Sequence, residues 1–364
     1  MEVDVLQENL AKAVTLLSRA TPPRSSLPIL GDLLLATDKG RLAISASDLE
    51  LYATIHVGAQ VKTEGAVTLP AKMMAKMVTK LPNERLTIDA NERHATISQE
   101  GRTLSLEGNS AEDFPPPPKH GDIIGTLDPK LFLSTLARVS FCAGNDDARP
   151  AIQGIHLKAE GDQLTMTATD GFHLASFHMD YEGKPFTTLI PAYSFAKFTK
   201  LLKALMKDSD ELHVAESEHS LHLEHGNLSV TMQPIKATFP DYTQLIPDGY
   251  DSRIRVLREA LLSELGVCMA LVKDGTGIIR LQHDGDELSV SAKTMGEGSY
   301  EATIPATIEG ATTRIAFNGT YLTNILSAMT EEIVTIDLKG PSRPGLIHDS
   351  EAGVYVVMPM TVEW

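Results

Sequence analysis

Three landmarks recur along this chain in the same order, and their repetition constrains the fold more than any other feature. They are an amphipathic helical stretch, a second helical stretch entered through an apolar-Pro or Phe-Asn step, and a closing apolar-Pro dipeptide. The first stretches run over 6–20, 129–143 and 256–272, and the second begin near Pro70, Pro191 and Asn318. The closing pairs are Phe114-Pro115, Phe239-Pro240 and Met358-Pro359, spaced by 125 and 119 residues. That period is too long for a solenoid and long enough for each unit to hold its own core. The 364 residues therefore read as three similar domains, 1–121, 122–247 and 248–364.

Between the helical stretches, apolar and polar residues alternate and are broken by turn signals. The strands expected in the first unit are 29–37, 41–47, 51–57, 85–89, 94–99 and 103–108. Those of the second are 155–159, 163–168, 173–179, 212–215, 220–224 and 228–233. The third has 278–283, 287–292, 299–304, 333–338, 345–349 and 353–359. Strands with two helices per unit make the fold class α+β. The four prolines of 115–118 form a stiff boundary between the first two units. A second boundary lies at 240–249.

Charge is sorted along this pattern. In 191–207, Lys197, Lys200, Lys203 and Lys207 fall in one helical sector, while Phe195, Phe198, Leu201, Leu202 and Leu205 cover the rest. In the second helix of the first unit, Lys72, Lys76 and Lys80 recur every four residues, with Met73, Met77 and Leu81 expected on the opposite side. Lys130 and Arg138 have no acid nearby in the helix of the middle unit. The whole chain carries a net charge of −16, so helices and strands differ in sign. One such helix alone is ordinarily a solvated face; several in register with a repeat point to a polyanion bound without sequence reading. No aromatics alternate with these lysines, which disfavours stacking on single strands and leaves a duplex as the better partner.

Other chemistries find little support. Cys142 and Cys268 are far apart and lack CxxC or Cys/His spacing, so neither a disulfide framework nor a zinc site is indicated. No P-loop, GxSxG or Ser/His/Asp set occurs, and no enzyme, cofactor or metal requirement is expected. His213, His219, His222 and His225 crowd one hairpin, but strand alternation separates them and they read as surface histidines. His283-Asp-Gly-Asp-Glu287 lacks the rest of a calcium loop and reads as a hairpin turn. There is no signal-like N-terminal stretch and no run of eighteen apolar residues, so a cytoplasmic location is expected.

Several strings, in this order and on this repeat, carry a resemblance over essentially the whole chain. They are Leu27-Pro28-Ile29-Leu30, Ser47-Asp48-Leu49-Glu50, Ala168-Thr169-Asp170-Gly171 with Leu174-Ala175, Phe239-Pro240-Asp241-Tyr242, and Tyr355 to Met360. The sequence resembles the bacterial DNA polymerase III beta subunits, the sliding clamps. The resemblance implies domains of the DNA-clamp type, in a head-to-tail homodimeric ring with helices lining a hole around duplex DNA. It implies a processivity role, with a second copy of the chain, the polymerase III alpha subunit, the clamp loader and other clamp-motif proteins as partners. By the same resemblance Arg24, Lys72, Lys76, Lys80, Lys197, Lys200 and Lys203 would meet phosphates, and Arg149 would lie in a loop near DNA.

The family's groove for partner peptides would be built from Ile152, Thr169, Gly171, Phe172, His173, Leu174, Pro240, Gln244, Leu245, Val356, Met358 and Met360. Here the chain departs from the family pattern. Phe172-His173 replaces the usual His-Arg, Thr243-Gln244 replaces basic residues, and Met360 is followed by Thr361 rather than Arg. Three positions near one groove have thus lost a permanent positive charge, which implies altered peptide preference or weaker binding. The implied subunit contact sets Leu104 and Leu106 against Ala270 and Leu271, with His94 or Arg102 facing Glu297 or Glu301. An accessory copy with changed partners, or a clamp-like scaffold that no longer encircles DNA, is the alternative reading.

Overall fold

The computed structural model describes residues 1–22, 26–207, 211–217, 219–272, 277–294, 296, 298–350 and 352–364. Among these residues the helices are α1 (Gln7–Ser18), α2 (Ala71–Val78), α3 (Pro129–Val139), α4 (Ala192–Leu205), α5 (Arg258–Leu271) and α6 (Gly319–Ala328). They bury apolar rows at helical spacing: Leu10, Ala13, Val14 and Leu17 in α1, and Phe195, Phe198, Leu201 and Leu202 in α4. Leu261, Leu265 and Cys268 do the same in α5. α1 packs on α2, and α5 on α6.

The expected strands are present, with shifted ends. The segment 29–37 opens instead as a 3-10 turn at Pro28–Gly31 before the strand Asp32–Asp38. Seven further strands are not expected from sequence: the two-residue Glu182–Gly183, and six that each lead into a helix or its entry turn, Glu2–Leu6, Ala66–Pro70, Ile123–Leu127, Phe186–Pro191, Ser252–Leu257 and Arg314–Asn318. Those six are short, and their last apolar residues continue the helical pattern that follows. Leu6, Val256 and Leu257, read as helix, therefore belong to strands, and Pro70 and Pro191 end strands rather than open helices. α3 likewise stops at Val139, and Ser140–Cys142 continues as a 3-10 turn.

The chain packs into two compact units. The first comprises Met1–Pro129, Glu182–Lys184 and Tyr193–Pro234; the second comprises Lys130–Tyr181, Pro185–Ala192 and Ile235–Trp364. Each unit is knitted by one antiparallel sheet system, of 13 strands in the first and 12 in the second among the described residues. The middle repeat contributes to both because its strands extend the sheets of its two neighbours. In the first unit Leu228–Met232 pairs with the start of Leu51–Thr63, Leu228 opposite Ile55 and Met232 opposite Leu51. In the second, Gly353–Val357 pairs with His173–Asp180 in the same antiparallel sense, Gly353 opposite Phe177 and Val357 opposite His173.

These two junctions are equivalent in the repeat: the last strand of one repeat joins the third long strand of the repeat before it. The remaining pair of equivalent strands is Arg102–Glu107 and Gly298–Gly310. Among the described residues, Arg102–Glu107 pairs only with His94–Gln99, and the 298–305 half of the other strand pairs only with Glu287–Thr294. Two open edges are left, one in each unit.

The second junction is closely packed at Gly353. A Cβ there would fall 2.3 Å from Phe177 Cδ1 and 2.5 Å from the Ser176 carbonyl oxygen. Gly353→Ala should destabilise the fold by about 1–3 kcal/mol through overpacking, read as a lowered midpoint in denaturant with an unchanged slope.

Candidate functional site

The basic helices keep only part of the charge that their sequences suggest. On α2 and the turn after it, Lys72, Lys76 and Lys80 are all exposed. The buried row is Ala71, Met74 and Val78. Met73 and Met77, expected on the packed side, are therefore exposed beside the lysines, at 50% and 38%. The reason is the helix's short length: its core contact follows the i, i+3, i+7 row, and the two methionines fall outside it.

On α4, Lys200 and Lys203 are exposed. Lys197 instead pairs with Asp48 and donates to the Ala20 carbonyl at 3.4 Å, so a carboxylate distant in sequence already holds its charge. Arg138 is not unopposed either. Its Nε lies 3.7 Å from the fully buried Asp349, and its Nη2 donates to Thr330 Oγ1 at 3.0 Å. Burial pushes the Asp349 carboxyl up, while Arg138 pulls against it. Arg258 donates to the Leu326 and Glu331 carbonyls, at and just beyond the C-terminal turn of α6. Arg24 lies outside the described residues.

The groove residues all belong to the second unit. Leu174 and Val356, opposite one another across the strand junction, form with Leu346 a buried apolar floor against which Tyr242, Ile246 and Val354 pack. Tyr242 is fixed by a hydrogen bond between its hydroxyl and Thr167 Oγ1 at 3.0 Å. Leu346, Tyr242 and Ile246 join this floor, although the sequence reading did not place them at the expected groove. Tyr242 stands in one of the family strings, whereas Leu346 looks like any strand leucine. Pro240, Leu245, Met358 and Met360 are accessible to differing degrees. Gln244, Leu245 and Met358 line a common cavity.

The turn 169–174 sets the rim. Asp170 Oδ1 accepts from the Phe172 and His173 amides at 2.8 and 2.9 Å, while Thr169 Oγ1 donates to the His173 carbonyl and accepts from the Gly171 amide. Gly171 takes φ +93°, where a side chain is disfavoured. Phe172 is thereby thrust into solvent at 58% exposure, while His173 turns inward. His173 is buried and stacked 4.1 Å from the Tyr321 ring, with Nδ1 2.9 Å from Asp170 Oδ1. Ile152 and Thr169 are also buried and support the wall from behind. Burial and the Asp170 carboxylate push Tyr321 up to about 12.

Arg149 reaches this same turn: its Nη1 lies 3.1 Å from the place a Cβ on Gly171 would occupy, and its Nε donates to Asp146 at 2.8 Å. The structure thus sets it beside the groove. The 3-10 turn Pro150–Gln153 that follows it carries Ile152.

At the expected subunit contact, Leu106 is buried and Leu104 half-buried on an edge strand. On α5, Ala270 is exposed and Leu271 half-buried, and the exposed Val267 adds a further apolar residue. Glu297 lies outside the described residues; Glu301 accepts from Ser289 Oγ at 2.9 Å.

Two of the four hairpin histidines are not on the surface. His222 is buried, bonded to Thr231 Oγ1 at 2.8 Å and stacked on His120; His225 is buried and accepts from the Lys207 amide. Among the described residues no His, Cys, Asp or Glu group is arranged to hold a metal ion. His283 is bound to Ser252 Oγ at 2.7 Å, and the backbones of Asp284 and Glu287 pair across a hairpin turn. No helix of the described residues is long and apolar enough to cross a membrane.

The Asp170 turn has a pH signature. Burial raises its carboxyl, but His173 and the two amides outweigh this and hold it at about 2, below the ordinary 3.8. A lowered folded value means that its stabilisation is present above the unfolded value of 3.8 and is lost as pH falls towards 2. Asp170→Ala should therefore cost about 1–3 kcal/mol at neutral pH. The gap from wild type should narrow through that acid range in denaturant titrations.

Over nearly its whole length the chain matches three family models in succession: DNA polymerase III beta subunit, N-terminal domain at 1–118, central domain at 126–241 and C-terminal domain at 243–361. It is 29% identical over 374 residues to the beta sliding clamp of Synechococcus elongatus, covering 99% of each chain. It is 27% identical to that of Streptomyces coelicolor, again covering 99% of each. Among solved structures, the DNA polymerase III subunit beta of Pseudomonas aeruginosa superposes with a TM-score of 0.94 at 24% identity, and the Bacillus subtilis sliding clamp with 0.94 at 20%, both spanning 100% of each chain. The protein belongs to the DNA polymerase III beta subunit family.

Proposed function

We propose that this sliding clamp closes head to tail on a second copy of itself, encircles duplex DNA through its basic helices and receives partner peptides in the groove above Leu174 and Val356. A member of this family is a non-catalytic subunit that confers processivity on a DNA polymerase. A ring around the duplex slides without gripping it and keeps the tethered enzyme at high effective concentration.

The observation that carries the ring is the incomplete third junction. Two equivalent junctions are made within the chain, and the edges that would make the third, Arg102–Glu107 and residues 298–305, stand open. Open edges invite strand addition, and a contact between two different surfaces of identical subunits makes a ring when its rotation closes. Two copies supply six repeats, taken as domains 1–121, 122–247 and 248–364. Leu104 and Leu106 would then meet Ala270, Leu271 and Val267, so that apolar residues accompany the backbone pairing.

The DNA contact rests on Lys72, Lys76, Lys80, Lys200 and Lys203, which lie on the accessible side of their helices. Lys197 and Arg149, each already held by an aspartate, supply less, and Arg24 is assigned by resemblance alone. The partners are duplex DNA without regard to sequence, the polymerase III alpha subunit, the clamp loader and other proteins with a clamp motif. A cytoplasmic location suits such a role.

Loading the protein onto nicked circular DNA with its clamp loader, then cutting the circle once, tests this reading. Release on linearisation supports a topological hold; retention after cutting would mean direct binding and a scaffold role. Leu271→Glu should shift the dimer to monomer in sedimentation while the fold, followed by circular dichroism, stays intact, because that side chain is only half-buried. Lys76→Ala combined with Lys80→Ala should flatten the salt dependence of duplex binding by about 2 in log–log slope.

A further inference from the structure

The cavity that shares Gln244, Leu245 and Met358 with the groove extends past it, to a volume of about 630 Å³. One wall is the 3-10 turn Thr243–Leu245 continuing to Pro247; the other is the turn 339–344. Gly340 takes φ +97° in that second turn, and its carbonyl accepts from the Arg343 amide at 3.5 Å. Lys339 and Arg343 thus line the same cavity as Gln244, and both are exposed. Among the described residues, the ion pairs of this unit engage other cations, such as Arg253 with Asp337 and Arg255 with Glu309, and leave these two to the cavity. Asp248 and Asp251 also line it. Asp251 is tied by its backbone to Leu338 and Ala311.

We propose that this cavity is an extension of the peptide groove in which Lys339 and Arg343 receive an acidic residue flanking the apolar anchors of the partner peptide. The proposal rests on the groove reading above and specifies its ligand. The basic residues that the resemblance leads one to expect at 172–173, 244 and 361 are missing, and the two cations of the turn 339–344 return positive charge to the lining that Gln244 shares. Ile246 belongs both to the packing around the Leu174–Val356 floor and to the cavity lining, so the two regions are continuous. Asp248 and Asp251 make the cavity neutral in sum. A free anion would gain little there, whereas an acidic residue delivered by an anchored peptide is placed against the cations. Arg343 offers a planar fork to a carboxylate and Lys339 a point charge.

The test uses the full-length protein and fluorescein-labelled peptides with two leucine anchors, flanked on either side by Glu, Gln or Lys. Anisotropy should show the Glu peptide of one flank bound about tenfold more tightly than its Gln counterpart, with Lys weakest. The preference should fade as salt rises. In a Lys339→Ala/Arg343→Ala variant the Glu preference should vanish while the Gln peptide binds as before. Equal binding of Glu and Gln peptides to the wild type, or a preference that survives in the double variant, would overturn the proposal and leave the groove reading intact. If none of the peptides binds the folded wild type, the groove reading itself falls and the extension with it.

Discussion

Backbone pairing across the repeat boundaries holds this molecule's organisation together. Leu228–Met232 on the start of Leu51–Thr63, and Gly353–Val357 on His173–Asp180, turn separate sheets into continuous ones. Unpaired edges of buried sheets are costly, so a repeat whose last strand has found its neighbour has little freedom to turn away. This is why three sequence repeats become two compact units: the middle repeat is shared between the sheets it extends. The same constraint positions the groove, whose floor residues Leu174 and Val356 face each other only because those two strands pair.

A short turn beside each junction is built the same way. Asp48 accepts from the Glu50 and Leu51 amides as Asp170 does from those of Phe172 and His173. Leu49 takes φ +77° where Gly171 takes +93°. The first turn commits its aspartate to Lys197 of α4. The second leaves Asp170 to His173, itself stacked on the Tyr321 ring, and opens onto an apolar groove. One local conformation therefore serves a structural latch in one place and the rim of the proposed peptide groove in the other, according to the side chains around it.

Charge follows a similar division. Lys197, Arg138 and Arg258 are engaged inside the fold, by Asp48, by Asp349 and by the end of α6. Lys72, Lys76, Lys80, Lys200 and Lys203 remain accessible and carry no acid on their own helices. An acidic chain can hold a polyanion only through such a segregated surface.

Much of this was legible in the residues themselves. The period of the landmarks determined three α+β repeats, helical spacing determined the packed face of α4, and the family strings marked Leu174, Val356 and Met358. Local patterns carry such information because burial of one helix face or strand face is written at fixed spacing. Only the tertiary structure decided which cations are engaged, since Asp48 lies 149 residues from Lys197 and Asp349 belongs to a different repeat from Arg138. It also decided that Met73 and Met77 are exposed, that His173 turns inward while Phe172 projects, and that Arg149 reaches the Gly171 turn. The short strands ahead of each helix were hidden because a few residues merge with the helical pattern behind them. Their partners lie far along the chain, and strand pairing, unlike helical periodicity, is settled by residues that sequence spacing does not bring together.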